Sequence, residues 1–250
     1  MTTLEVEIAV TTAQGAEVAT RAGADRVELC SALEVGGITP SAALLRLAVA
    51  TGIGVHALVR NRPGDFVYDA DDVRCMADDA AFAASVGAAG VVVGALTADG
   101  GIDRRALDTI VGAARDANPL VHLTFHRAID HTADPAALLD ELAALGFARV
   151  LTSGGASTAS DGASVLAAMV ARGSGLEIMA GGGVLPGQID RLAALGVDAV
   201  HLSAKARARA HQGAWVSLGS SSTDAAADAH FVTDESVVRD AVTRAAAARR

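Results

Sequence analysis

Residues 22–27 read AGADRV, with a glycine between an alanine-rich stretch and a strand-like run. The same order returns as LGFARV at residues 145–150 and as LGVDAV at residues 195–200. A glycine directly after a helix can adopt the left-handed conformation that ends the helix before the next strand. Gly87 takes the same place before the run that begins at Val91. The repeated junction therefore predicts a chain in which helices and strands alternate.

Eight short runs rich in β-branched residues, each followed by an Ala/Leu-rich stretch with helical spacing, extend this alternation over residues 4–203. Eight βα units of this size can close a barrel or wind an open sheet, and the count of eight favours the barrel. We therefore predict an α/β fold, a (β/α)8 TIM barrel, with residues 1–250 in one domain. The predicted strands are residues 4–10, 26–30, 55–60, 91–96, 121–126, 150–153, 177–181 and 199–203.

The alternation stops after residue 204. Residues 205–209 read KARAR, residues 219–222 read GSSS, and residues 234–248 again have helical spacing. We interpret this part as a flexible loop followed by the closing eighth helix. An arginine-rich binding arm is the alternative, because charge runs also form such arms.

Composition and charge exclude several classes of protein. The net charge of -9 argues against a nucleic-acid-binding protein, which needs a basic face. The first residues contain no basic segment followed by a long apolar run, so we expect neither a signal peptide nor a membrane-spanning segment. Cys30 and Cys75 are too few for a disulfide framework, which is typical of a cytoplasmic protein. We expect Cys75 to pack between a helix and the sheet.

Polar and apolar residues alternate on the predicted strands. The outer face of a barrel must be apolar to receive the helices, so the polar positions face the interior. A buried unpaired charge costs roughly several kcal/mol, so we expect Arg26 and Arg60 to pair with the glutamates. We assign the deeper Glu5, Arg26, His122 and Glu177 to this structural network. The predicted inward residues also include Glu7, Glu28, Cys30, His56, Thr124, His126, Met179, His201 and Ser203.

Active sites of barrel enzymes lie at the C-terminal ends of the strands. Glycine-rich segments follow two of these ends, TSGG at residues 152–155 and GGG at residues 181–183. Exposed amides of such loops can bind an anion, and barrels often hold phosphate near strands seven and eight. Close packing alone is the alternative use of these glycines. The predicted ligand-binding residues are Arg60, Arg127, Ser153, Gly154, Gly155, Gly182 and Gly183.

Several segments together resemble the CutC copper homeostasis family, and the resemblance runs from residue 4 to residue 204. The resemblance implies a barrel fold, a cytoplasmic location, a homo-oligomer and copper handling, with copper(I) bound through cysteine. Leu218 stands where the family pattern has methionine, so no role is carried over to the tail. The segments are DRVELC (25–30), GGITP (36–40), VH (55–56) with Arg60, GDF (64–66), TFHRA (124–128) with Asp130, LTSGG (151–155), MAGGG (179–183) and HLSA (201–204).

Cys30 lies within one of these segments, which makes it the predicted metal ligand. Copper(I) is a soft ion that prefers sulfur and imidazole ligands, and a single thiolate would hold it poorly. Met179 or a histidine could complete the site, or two chains could share the ion.

Two functions therefore stay open. The first is a copper homeostasis protein of the CutC family that binds copper(I). The second is an enzyme that acts on a small phosphorylated or carboxylated substrate through a Glu/His acid–base pair. The predicted partner is a metal ion or a small anionic ligand, with no nucleic acid and no membrane. A Schiff-base enzyme is disfavoured, since the single lysine, Lys205, lies beyond strand eight. The candidate catalytic residues are Glu7, Glu28, His56 and His126.

Overall fold

A computed structural model describes residues 4–208 and 230–248 of the chain. Eight parallel strands close into a barrel in which each strand pairs with the next and the eighth pairs with the first. This arrangement confirms the predicted (β/α)8 barrel. The strands are β1 (Glu5–Val10), β2 (Arg26–Leu29), β3 (Gly54–Leu58), β4 (Gly90–Val93), β5 (His122–Phe125), β6 (Arg149–Thr152), β7 (Glu177–Gly181) and β8 (Ala199–Leu202).

Helices connect the strands, and the glycine junctions lie where they were predicted. Gly23 ends the first helix with a φ of +88°, and its N–H donates to the carbonyl oxygens of that helix. Gly87, Gly146 and Gly196 also have positive φ angles, of 94°, 81° and 92°. The helices are α1 (Ala13–Ala22), α2 (Ala42–Val49), α3 (Ala70–Ser85), α4 (Arg104–Ala117), α5 (Leu139–Ala144), α6 (Ala163–Arg172), α7 (Ile189–Ala194) and α8 (Glu235–Ala247).

The main apolar core lies between the strands and the surrounding helices. Ile8, Val27 and Leu29 are fully buried and belong to the same cluster as Ala16 and Ala19 of α1. Removing such apolar surface from water stabilises the fold by about 25 cal/mol per Å². The apolar positions of the strands therefore face outward, as the alternation predicts, and the polar positions are left for the barrel interior.

The region after β8 differs from the predicted loop. Residues Lys205–Arg207 form a short strand, β9, that pairs antiparallel with β10, Phe231–Thr233. Three residues are too few to show a period of two, so the sequence pattern misses both strands. The predicted closing helix is confirmed as α8, and the carboxylate of Asp234 accepts hydrogen bonds from its first turn. The GSSS segment and Leu218 lie outside the described residues.

Cys75 lies in α3 and is exposed, so its predicted burial is wrong. The helix buries Met76, Ala80 and Ala84, which follow one another at the four-residue spacing of one helix face. Cys75 lies one position before Met76, outside this buried face, and is exposed to solvent. No helix within the described residues has the length and hydropathy needed to cross a bilayer.

Candidate active site

The deep charges of the barrel form ion pairs, as predicted. The Nε of Arg26 donates to an Oε atom of Glu7 at 2.7 Å, and its Nη1 pairs with Glu5. Arg149, the first residue of β6, forms an ion pair with Glu177 at 2.5 Å. Arg149 precedes the predicted start of strand six, and for this reason sequence reasoning did not include it. These pairs compensate charges that burial would otherwise destabilise.

His122 is not part of the ion-paired network, so this part of the prediction is wrong. It is the exposed first residue of β5, at the N-terminal end of the barrel. Its ring stacks at 6.3 Å, between centroids, on the ring of His56. His122 therefore lies between solvent and the buried ring of His56.

Glu7 is fully buried and holds His201 in place. The Nδ1 of His201 lies 2.9 Å from one carboxylate oxygen of Glu7, and Arg26 occupies the other oxygen. Burial alone would raise the pKa of Glu7, but the hydrogen bond from His201 and the nearby positive charges lower it below its usual range. An ionised carboxylate only accepts hydrogen bonds, so Nδ1 of His201 carries a proton.

Among the described residues, Glu28 is the acidic residue that lines the mouth cavity. Its side chain is buried, yet within the described residues it has no hydrogen-bond partner. One carboxylate oxygen lies 3.8 Å from Nε2 of His201. Burial raises the pKa of Glu28 to about 7, with His201 opposing and Glu7 reinforcing the shift. A carboxyl group that titrates near neutral pH can both accept and donate a proton under physiological conditions.

His201 therefore links the two glutamates in the order Glu7, His201, Glu28. Burial would lower the pKa of His201, but Glu28 and Glu7 together raise it. The strand alternation predicts that His201 faces the interior, but it assigns no role to this residue. The role becomes visible only when β1, β2 and β8 are adjacent in the closed barrel.

His56 and His126 are both buried and neutral, but they lie in different places. Burial lowers the pKa of His56 to about 4 and that of His126 to about 3. His56 lies 3.8 Å from Glu7 and does not line the mouth cavity. His126 lines this cavity and contacts the ring of Phe66 at 4.9 Å. Its Nδ1 accepts from the N–H of Ala128, so the ring proton lies on Nε2.

Arg60 does not pair with a glutamate, in contrast to the prediction. Its guanidinium donates to the carbonyl oxygens of Val35 and Gly37 at 3.0 Å and of Gly64 at 2.9 Å. It also lies over the ring of Phe66. These contacts join the loops that follow β2 and β3. Within the described residues no carboxylate pairs with Arg60, which lies at the edge of the mouth cavity.

The amides of the loop after β6 bind a carboxylate of the protein itself, the side chain of Asp130. The carboxylate of Asp130 accepts from the amides of Ser153 and Gly155 at 3.1 Å and from the hydroxyl of Thr152 at 2.5 Å. The amide of Gly154 donates to the same hydroxyl oxygen. The amides of Ser153, Gly154 and Gly155, which were predicted to bind an anionic ligand, therefore already have acceptors within the protein. Asp130 lies in a short 3-10 turn after β5, where strand alternation gives no signal for it.

A cavity of about 330 Å³ lies at the C-terminal mouth of the barrel, where barrel enzymes bind substrates. It brings together several predicted residues, among them Arg60 and His126, with others that had no predicted ligand-binding role. The residues of the cavity wall that carry chemistry are Glu28, Arg60, His126, Arg127, Gly182, Gly183, His201, Ser203 and Lys205.

The surroundings of Cys30 do not suit copper(I). The thiol is fully buried in an apolar cluster with Leu58 and Val92, and burial raises its pKa well above the usual range. Metal binding requires the thiolate. Met179 belongs to a separate cluster, where its sulfur accepts from Arg26 at 3.4 Å. The predicted soft ligands are therefore not brought together in one chain.

A different set of donors could hold a metal ion. One ligand atom from each of Glu7, Glu28 and His201 lies within 4.8 Å of the others. Two carboxylate oxygens and one imidazole nitrogen suit divalent ions that are harder than copper(I).

The barrel and its mouth define a class of protein: a TIM barrel with buried carboxylates, imidazoles and cations around one cavity. The chain belongs to the CutC family, because the model of that family matches residues 4–206. A CutC family protein of Photobacterium profundum is 41% identical over 212 residues, which cover 84% of this chain and 85% of that protein. A second, from Sinorhizobium medicae, is 45% identical over 185 residues, or 74% of each chain.

A crystal structure from Streptococcus agalactiae supports the same assignment. That protein is named as a candidate copper homeostasis protein, CutC. It is 30% identical to this chain and superposes with a TM-score of 0.73, covering 80% of this chain and 98% of its own.

Proposed function

We propose that this chain is an enzyme that transfers a proton on a small anionic substrate bound in the mouth cavity. The observation that carries the proposal is Glu28. The residue is only 6% exposed and lines the cavity, and its carboxyl group has no hydrogen-bond partner among the described residues. A buried carboxyl group without a hydrogen bond is unfavourable for stability, and the ion pair with His201 at 3.8 Å is too long to supply one. Such a group is typical of a site where a substrate supplies the missing partner.

Glu28 acts as the general base and His201 as its charged neighbour. Glu7 holds Nδ1 of His201, which directs Nε2 toward Glu28 at 3.8 Å. When Glu28 takes a proton from the substrate, its negative charge is lost while Glu7 keeps His201 charged and oriented. Glu28 can then return the proton to another atom of the substrate. The pKa of Glu28, near 7, makes both directions accessible at neutral pH.

The other predicted residues bind and position the substrate. His126 is neutral and lines the cavity, and its buried Nε2–H has no hydrogen-bond partner among the described residues, which makes it the candidate donor to a carbonyl oxygen of the substrate. Arg60 and Arg127 contribute guanidinium groups to the lining of the same cavity. His56 lies 3.8 Å from Glu7 without a hydrogen bond to it and does not line the cavity, so no contact with the substrate is assigned to it.

Proton exchange in D2O tests this function while the substrate is still unidentified. A panel of small phosphorylated and carboxylated carbonyl compounds is incubated with the protein, and loss of C–H signals is followed by proton NMR. We expect exchange with wild type to increase as the pH rises through about 7, since Glu28 must be ionised to accept a proton. Glu28→Gln should slow exchange by at least about 100-fold, while the exposed Glu17→Gln should leave it unchanged. Exchange that is equal in both variants would contradict the proposal.

Copper homeostasis is the second candidate function. Family membership and the name of the relative from Streptococcus agalactiae favour it. Copper(I) bound through Cys30 would need the buried thiol to become accessible to ligands of a second chain that shares the ion, and a cytoplasmic homo-oligomer is part of this candidate. Copper(I) titration of the reduced protein against a competing chelator, with Cys30→Ser as the variant, tests it. Tight binding that is lost in the variant would support copper(I) handling, and weak binding that Cys30→Ser leaves unchanged would exclude Cys30 as the ligand.

A further inference from the structure

The loop after β7 presents backbone amides to the mouth cavity. Gly182 and Gly183 line the cavity, and their N–H groups have no acceptor among the described residues. The carbonyl oxygen of Gly182 accepts from the N–H of Ala159 at 2.9 Å, which holds the loop in place. A Cβ atom on Gly182 would lie 3.1 Å from the guanidinium carbon of Arg127. Because Gly182 has no side chain, the guanidinium of Arg127 and the amides of Gly182 and Gly183 can lie close together beside the cavity.

The loop after β8 adds further donors to this wall. Within the described residues, neither the amide nor the hydroxyl group of Ser203 has a hydrogen-bond partner. Lys205 follows, and its ammonium group lies 4.7 Å from the centre of the Phe231 ring. The described residues include no carboxylate that pairs with Lys205. Both Ser203 and Lys205 line the cavity.

Arg127 supplies a second cation beside these loops. Its Nε donates to Asp130 at 2.7 Å and its Nη2 donates to the hydroxyl of Ser153 at 2.8 Å. These contacts fix the guanidinium, whose Nη1 has no partner in the described part of the chain. Asp130 compensates the charge of Arg127, while the charge of Lys205 has no such compensation. The wall is therefore positive in a chain whose net charge is -9.

The number of donors separates the two classes of anion. A carboxylate has two oxygens and one charge, whereas a phosphate monoester has three acceptor oxygens and close to two charges. Two amides, a hydroxyl group, an ammonium group and a guanidinium group offer more hydrogen-bond donors than the two oxygens of one carboxylate can accept. We infer that the substrate carries a phosphate group, bound between the loops after β7 and β8 by Gly182, Gly183, Ser203 and Lys205, with Arg127 beside it.

This inference rests on the proposed function and adds the class of substrate. Gly182, Gly183, Ser203 and Lys205 are together called the phosphate cradle. Glu28 lies on β2, and the phosphate cradle follows β7 and β8. Both line the same cavity. A phosphate held at the cradle would place the reactive carbon of a small metabolite toward Glu28 and His201. The cradle binds the substrate, and the acid–base pair acts on it.

Binding of inorganic phosphate, followed by isothermal titration calorimetry, tests the cradle directly. Lys205→Gln should weaken phosphate binding by about tenfold or more, because it removes a charge-assisted hydrogen bond. Ser203→Ala should weaken it several-fold. Arg207→Gln is the matched control, since Arg207 lies in the same strand, carries the same charge and does not line the cavity. We expect this control to bind phosphate as wild type does, and acetate to bind wild type at least about tenfold more weakly than phosphate.

Three results would overturn the inference: equal loss of phosphate affinity in Lys205→Gln and Arg207→Gln, no loss in either Lys205→Gln or Ser203→Ala, or acetate binding as tight as phosphate binding. Glu28→Gln separates this inference from the proposed function, because it should retain phosphate binding. Phosphate binding that depends on Lys205, without any exchange that depends on Glu28, would support the cradle and contradict the enzyme. Exchange that depends on Glu28, with phosphate binding indifferent to Lys205, would overturn the cradle alone.

Discussion

Replacing Glu28 by glutamine should stabilise the folded protein at alkaline pH. Burial raises the pKa of Glu28 from 4.5 to about 7. The folded state therefore binds this proton more tightly than the unfolded state, and stability falls as the pH rises from 4.5 to 7. Above this window the ionised carboxylate lowers the free energy of unfolding by about 3 kcal/mol. This value follows from a pKa difference of roughly 2.5 between the folded and unfolded states, because one pKa unit corresponds to about 1.36 kcal/mol. Glutamine keeps the shape of the side chain and removes the charge.

Urea denaturation in a buffer with a metal chelator, at about pH 8 and at about pH 4.5, measures this effect. We expect Glu28→Gln to raise the free energy of unfolding by up to about 3 kcal/mol at the higher pH and by less than about 1 kcal/mol at the lower pH. Glu17→Gln makes the same chemical change on an exposed position of α1 and should stay within about 0.5 kcal/mol of wild type. A Glu28→Gln variant that is less stable than wild type at pH 8 would refute the reasoning, since it would show that the ionised carboxylate is well satisfied.

Asp130→Asn should lower the free energy of unfolding by about 3 kcal/mol or more, measured in urea, because Asp130 accepts hydrogen bonds from five donor groups. Cys75 should react with a thiol reagent in the native protein, because it is exposed, while the buried Cys30 should react only after unfolding. Gly90→Ala should destabilise the barrel by about 1–3 kcal/mol, because a Cβ atom at this position would lie 2.8 Å from the ring of His56.

Each of these variants has a control within the same chain. Asp134→Asn changes an exposed cap that accepts from a single amide, so it should cost no more than about 1 kcal/mol. An equal decrease in the free energy of unfolding in Asp130→Asn and Asp134→Asn would contradict the role given to Asp130. Gly112→Ala places its Cβ in open space within α4 and should not destabilise the protein. Rapid modification of Cys30 in the native state would show that solvent reaches the thiol.

The barrel could be predicted because each of its signals is local. A glycine after a helix and a period of two in a strand depend on residues close in the sequence. The inward positions of Glu7, Glu28 and His201 follow from the same alternation. Their buried or partly buried positions agree with this prediction. The ion pair of Arg26 with Glu5 also follows, since few other partners exist for a buried charge.

Other parts of the candidate site could not be predicted from local patterns. Arg60 pairs with carbonyl oxygens of two loops, and loop backbones follow no period. Asp130 occupies the amides of the loop after β6 and comes from a short turn. Lys205 enters the cavity wall through a three-residue strand.

The sequence by itself determined the barrel, the polar character of its interior and the end at which the candidate site residues gather. These properties depend on periodicity and on the cost of leaving apolar surface in water. Only the tertiary structure decided which buried groups are satisfied and which remain without a partner. Asp130 accepts several hydrogen bonds and Arg26 pairs with two glutamates, whereas Glu28 faces the cavity without a hydrogen bond from the described residues. This difference arises from distances between strands that are far apart in the chain, and those distances exist only once β8 has closed on β1.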